Sequence, residues 1–218
     1  MATPLVYEEK LPSNIRQRFV DNVRMYAERL AIDPNWLMLV MNSESGLNPQ
    51  AVNPISGAVG LIQFMKTTAK GLGYSTSAIK GMDAVTQLFL VFKYFEPYKS
   101  KIKSFNDLYR ATFFPAAMGK PDNYVMETAS LPAKKIYDQN PAIAKFSNIP
   151  GKITVAAFNA YTDSKLTPAV LKLMQKSEKV VKFIKAAPNT KLILIGIIPI
   201  VIGLFLLLRP KILSLTTS

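Results

Sequence analysis

The sequence predicts a mainly α-helical chain: one helical domain, then a basic amphipathic helix, then a single transmembrane helix near the C-terminus. Three observations lead there. Over the first 165 residues, apolar side chains recur every three or four positions behind recognisable helix caps. No alternating apolar and polar run is long enough to build a sheet. Leu192–Leu208 is a run of seventeen residues without a charge. The expected boundaries are 1–165 for the domain, 166–190 for the basic helix, 191–209 for the span and 210–218 for a short tail.

The N-terminal stretch has no apolar h-region, so a signal peptide is not expected there. Ser13 is placed to cap a helix through Leu30, with Ile15, Phe19, Val23 and Tyr26 in register. Asp33-Pro34 supplies the N-cap and first position of a second helix running to about Ser45. Asn48-Pro49, Asn53-Pro54, Gly57 and Gly60 then mark a long loop. Further helices are expected over 64–71, 83–95 and 104–114, with Ile153–Phe158 or 55–63 left as the places for a short hairpin. The aromatic residues crowded between Phe89 and Tyr124 read chiefly as core packing, since rings of this size dominate the interior of small helical domains.

Between Thr167 and Ala187, Val170, Leu171, Met174, Val181 and Ile184 fall at helical spacing, and five lysines (172, 176, 179, 182 and 185) share another face. That pattern suits a helix lying on anionic lipid, or a solvated helix docked on the domain. The following run of seventeen residues would measure roughly 25 Å as a helix, near the lower limit for a span, with Lys191, Arg209 and Lys211 able to snorkel at its ends.

The chain has 218 residues, with 27 Lys and Arg against 14 Asp and Glu, a net charge of +13. A polyanionic partner is implied, whether nucleic acid, anionic lipid or bacterial cell wall. No groove-reading motif accompanies the charge, and half of it sits beside the apolar run, so nucleic acid is not expected. Cysteine and histidine are absent, which excludes disulfides, thiol nucleophiles, Ser-His-Asp triads and the usual zinc sites. The stretch 148–154 has the glycine of a calcium loop, but Phe146, Pro150 and Ala157 fall at ligand positions. Neither a metal nor a cofactor is expected.

Catalysis would then rest on carboxylates, hydroxyls, amides and lysines. On the helix from Asp33, Leu37, Val40, Met41 and Glu44 share one face. A carboxyl at the end of an otherwise apolar face sits against a dry wall, where desolvation keeps it protonated and able to act as a general acid. A Glu turned outward into water at the helix end is the bland reading of the same spacing.

The neighbouring residues form an ordered string. Glu44-Ser45-Gly46-Leu47-Asn48-Pro49 is followed by Ala51-Val52-Asn53, by Gly57-Ala58-Val59-Gly60-Leu61-Ile62-Gln63-Phe64-Met65, and by Thr68-Ala69-Lys70 with Leu72-Gly73. The string resembles the signature of lytic transglycosylases of the goose-lysozyme-like superfamily, and the later stretch Tyr109–Pro121 resembles a variant form seen in phage-associated relatives. The likeness is clear over 15–75 and weaker over 76–125, about half the chain.

The resemblance implies a lysozyme-like helical domain that cleaves the β-1,4 bond between N-acetylmuramic acid and N-acetylglucosamine in peptidoglycan. By likeness, Glu44 is the single acid/base. It protonates the leaving oxygen, then takes the proton of the muramic C6 hydroxyl, which closes a 1,6-anhydro ring. Ser45, Gln63, Met65 and Tyr109 are the expected substrate-binding residues. A third family motif, Ala-Tyr-Asn-Ala-Gly, is altered. Over Tyr109–Pro121, Phe113 or Phe114 stands for the tyrosine and Pro115 for the asparagine, leaving Tyr109 or Tyr124 to supply the hydroxyl.

The expected protein is therefore a membrane-anchored transglycosylase, with glycan strands and lipid as partners. Its expected place is the internal membrane of a bacteriophage virion, beside capsid proteins. The altered motif also admits a virion or membrane protein whose domain binds glycan without cutting it. A peptidoglycan zymogram separates the two.

Overall fold

The computed structural model describes residues 3–174. The expected span over 191–209, the tail, and the expected basic helix beyond residue 174 lie outside the described residues. Among the described residues no helix is long and apolar enough to cross a membrane.

Nine α-helices build the described body: α1 (Ser13–Leu30), α2 (Pro34–Ser45), α3 (Lys66–Gly71), α4 (Thr76–Lys80), α5 (Ala84–Phe95), α6 (Phe105–Phe113), α7 (Ala133–Gln139), α8 (Pro141–Ala144) and α9 (Val155–Asp163). A further helical stretch runs from 168 to 174. The core is helical, as expected, and the described residues contain isolated β-bridges but no strand.

Each long helix follows from its caps and its apolar stripe. In α1, Phe19, Val20, Val23, Ala27 and Leu30 are buried, and the helix packs on α2 and α5. Tyr26 stacks on Phe92 of α5 with ring centroids 5.1 Å apart. Ser13 is not the cap. It is the first helical residue, Pro12 holds the N-cap position, and no side chain caps the end. Proline's fixed φ makes the turn there without a hydroxyl.

Helix α2 matches its expected bounds. Asp33 accepts a hydrogen bond from the Asn35 amide at 2.8 Å, and Pro34 occupies the first turn, where a missing N–H costs nothing. Gly46 ends the helix at φ +64, with its amide on the Asn42 carbonyl and the Leu47 amide on that of Met41. Leu37, Met38, Leu39, Val40 and Met41 are all buried. At about 1.5–3 kcal/mol for each such side chain, this short helix is held mainly by its packing.

Two departures from the sequence reading matter for the site. Residues 153–158 do not pair as a hairpin. Thr154 Oγ1 accepts from the Ala157 amide at 3.2 Å and starts α9. In the 52–64 loop, Val59 bridges both Val52 and Phe64, so this segment folds back on itself as two bridges around a tight turn. The packed body also continues past residue 165, for Val170 is buried in the same core.

Candidate active site

Glu44 lies on the last turn of α2, one turn beyond the buried Val40 and Met41. It borders a cavity of about 340 Å³, near the small end of ligand pockets. Ser43 and Glu44 form one wall, Tyr109 and Phe113 of α6 a second, and the α7–α8 corner, including Gln139 and Asn140, a third. Phe158 and Tyr161 of α9 complete it. Glu44 is the one carboxylate among these lining residues.

Burial raises the Glu44 carboxyl above its ordinary value. The Tyr109 hydroxyl, as a hydrogen-bond partner, and the Lys165 ammonium pull against that rise without cancelling it. Tyr109 is itself buried, and its hydroxyl lies 2.8 Å from Ser43 Oγ. Desolvation, then the nearby Glu44 charge, pushes the Tyr109 phenol upward, so it stays protonated and can donate. Tyr94 of α5 is raised for the same first reason and spends its proton on the Ala111 carbonyl at 2.8 Å. The site thus holds a carboxyl biased toward its acid form beside a neutral phenol donor. That is the state from which a buried acid gives a proton to a leaving oxygen.

The expected binding residues divide. Tyr109 lines the cavity with Glu44. Ser45, Gln63 and Met65 are not among the lining residues and hold the neighbouring loop instead. Ser45 Oγ sits 3.0 Å from the carbonyls of Met41 and of Leu61, tying the end of α2 to the glycine-rich segment. Gln63, at φ +55, turns its amide back onto the Gly60 carbonyl at 3.1 Å. Met65 is the N-cap residue of α3 and is about half exposed.

Sequence reasoning missed Gln87. It is fully buried on α5, accepts from the Leu61 amide at 3.0 Å, and donates to the carbonyls of Pro49 at 2.8 Å and Ile79 at 2.9 Å. One amide thereby fixes both limbs of the loop that follows Glu44. A single polar residue among Ala84, Leu88 and Val91 on an apolar helix face was the available signal.

Of the expected counterparts in the altered third motif, Phe113 is the last residue of α6, and Phe114 and Pro115 lead into a short 3₁₀ turn over Pro115–Ala117. Helix α9 carries Ala157-Phe158-Asn159-Ala160, which differs from Ala-Tyr-Asn-Ala only in its phenylalanine, and Phe158 stands on the cavity wall. Phe113 stacks on Phe158 at 5.0 Å, and Tyr109 meets it edge-on at 5.7 Å. The hydroxyl that Phe158 lacks is present on Tyr109.

Among the described residues no group of three or more carboxylates could hold a metal ion. No curated protein matches the chain. Residues 21–89, about a third of the chain, match the family model described as Transglycosylase SLT domain. This segment runs from α1 to α5 and includes Glu44, the glycine-rich loop and Gln87. Over residues 21–89 the chain is therefore similar to a transglycosylase SLT domain, the domain of peptidoglycan lytic transglycosylases in the lysozyme-like superfamily.

Proposed function

We propose that the chain is a peptidoglycan lytic transglycosylase in which Glu44 cleaves the MurNAc–GlcNAc β-1,4 bond and forms 1,6-anhydro-MurNAc. One observation carries this reading: a single, half-buried and desolvated carboxyl in the cavity wall. A glycosidase that adds water needs two carboxyl groups facing each other across the sugar. With one, the second nucleophile comes from the substrate. Glu44 gives its proton to the glycosidic oxygen as the C1–O bond breaks. The carboxylate then accepts the proton of the muramic C6 hydroxyl as that oxygen bonds to C1. Glu44 returns to its acid form, and no water is consumed. Mass spectrometry of sacculi digested with the purified full-length chain is expected to show 1,6-anhydromuramoyl ends. Reducing ends would mean that a water-addition mechanism operates.

The setting belongs to the same proposal. The apolar run Leu192–Leu208 anchors the chain in a membrane, with the lysines before it against anionic lipid. Lys172, Lys176, Lys179, Lys182, Lys185 and Lys191 precede the run, against Arg209 and Lys211 after it. The positive-inside rule then keeps the catalytic domain cytoplasmic at synthesis. A wall-cutting domain on that side becomes useful once a bacteriophage particle with an internal membrane carries it, beside its capsid proteins, to the next host wall. In cells making this protein alone, the domain is expected to resist protease added to spheroplasts until they are lysed. Digestion in intact spheroplasts would reverse the orientation and remove the argument for a particle.

A further inference from the structure

Lys165 lies in the turn after α9, half-buried, and its Nζ stands 4.4 Å from the centroid of the Tyr161 ring and 6.0 Å from that of Tyr109. Both rings line the Glu44 cavity, and the Tyr109 hydroxyl reaches Ser43, the residue before Glu44. Among the described residues no carboxylate pairs with Lys165. An ammonium packed on two aromatic faces is held by their quadrupoles, and its charge acts on the Glu44 carboxyl beyond them. Among the described residues, the titratable and charged groups around Glu44 are Tyr94 from α5, Tyr109 from α6, Tyr161 from α9, and Lys165. Three are phenols, and Lys165 is the cation.

We propose that Lys165 is a positioning residue of the Glu44 site: a cation seated on Tyr161 and Tyr109 that supports the carboxylate form of Glu44 between its two proton transfers. The dry wall of α2 favours the acid form and suits the first step. After that step the same wall would leave a negative charge poorly solvated while the C6 hydroxyl is still to be deprotonated. A fixed positive charge reached through the aromatic wall offsets that cost without touching the substrate. Lys165 lies outside the segment that matches the family model, so this device belongs to the second half of the body. The inference rests on Glu44 being the acid/base.

The test uses the full-length chain and two readouts. The first is an NMR titration of the Glu44 side-chain carboxyl carbon, assigned by its disappearance in Glu44→Gln. Lys165→Met and Lys165→Gln, which remove the charge, are expected to move the Glu44 midpoint to higher pH, and Lys165→Arg to leave it in place. The second is the pH profile of peptidoglycan cleavage. Its alkaline limb, set by loss of the Glu44 proton, is expected to move to higher pH in both neutral variants, with kcat reduced and KM retained. An unmoved midpoint in both neutral variants, or an equal displacement in Lys165→Arg, would overturn the proposal. Absence of cleavage by the unaltered chain would overturn the catalytic reading instead, and the titration would still decide the effect of Lys165.

Discussion

Glu44→Gln is expected to lose about 10²–10⁴-fold or more of its peptidoglycan cleavage, because one carboxyl serves both proton transfers. The same variant is expected to be more stable than the unaltered chain at neutral pH. Burial holds the folded-state carboxyl above its unfolded value, so the unfolded chain ionises first. The contribution of Glu44 to stability is therefore complete below the ordinary carboxyl range and is lost as pH rises through the raised folded-state value. Glutamine resembles the neutral acid at every pH and escapes this loss. Thermal unfolding followed across pH should show the two proteins alike in acid and the variant increasingly ahead as pH rises through that window. Retained cleavage would remove Glu44 from the mechanism. A stability difference that ignores pH would mean that the carboxyl is not desolvated in the folded state. Together the two readouts identify a residue kept at a cost to the fold for the sake of its chemistry.

Helices with strong local signals were legible in the sequence. Asp33-Pro34 at one end and Gly46 at the other frame α2, and Asp83 caps α5 with its carboxylate on the Thr86 amide. Helices α4, α7, α8 and α9 are only four to nine residues long, where periodicity says little; α3 and α6 are as short and were legible all the same. In α9 the opening Thr154-Val155 favours a strand by composition, and a single hydroxyl cap decides the matter for helix. The site divides along the same line. Glu44 follows from the apolar face it shares with Leu37, Val40 and Met41. The facing wall comes from α6, the α7–α8 corner and α9, at least 65 residues further along the chain, where no local spacing links Tyr109, Asn140 and Tyr161 to Glu44. Long-range packing set that wall, and a one-dimensional pattern carries little trace of it.

Gly60→Ala is expected to cost about 3 kcal/mol, which lowers the melting temperature by roughly 6–12 °C for a chain of this size. Two effects add. Gly60 sits at φ +76, where a side chain costs about 1–2 kcal/mol. A Cβ there would also come within 2.4 Å of Gln87 Oε1. The end of a glutamine usually swings aside at little cost, but this one is fully buried and bonded to Leu61, Pro49 and Ile79. Moving it leaves buried backbone groups unpaired, at about 1–3 kcal/mol. Gly57 provides the control, since it has a similar φ of +70 and nothing within 4 Å of its would-be Cβ. Gly57→Ala should therefore show the backbone cost alone. In a Gln87→Ala background, Gly60→Ala should fall to the same smaller value, because the clashing atom is gone. Cleavage should fall with stability for Gly60→Ala and not for Gly57→Ala, for the Leu61 carbonyl next to Gly60 holds Ser45, the neighbour of Glu44. Equal losses at the two glycines would show that Gln87 does not brace the loop, and the coupling from α5 to the acid would have to be abandoned.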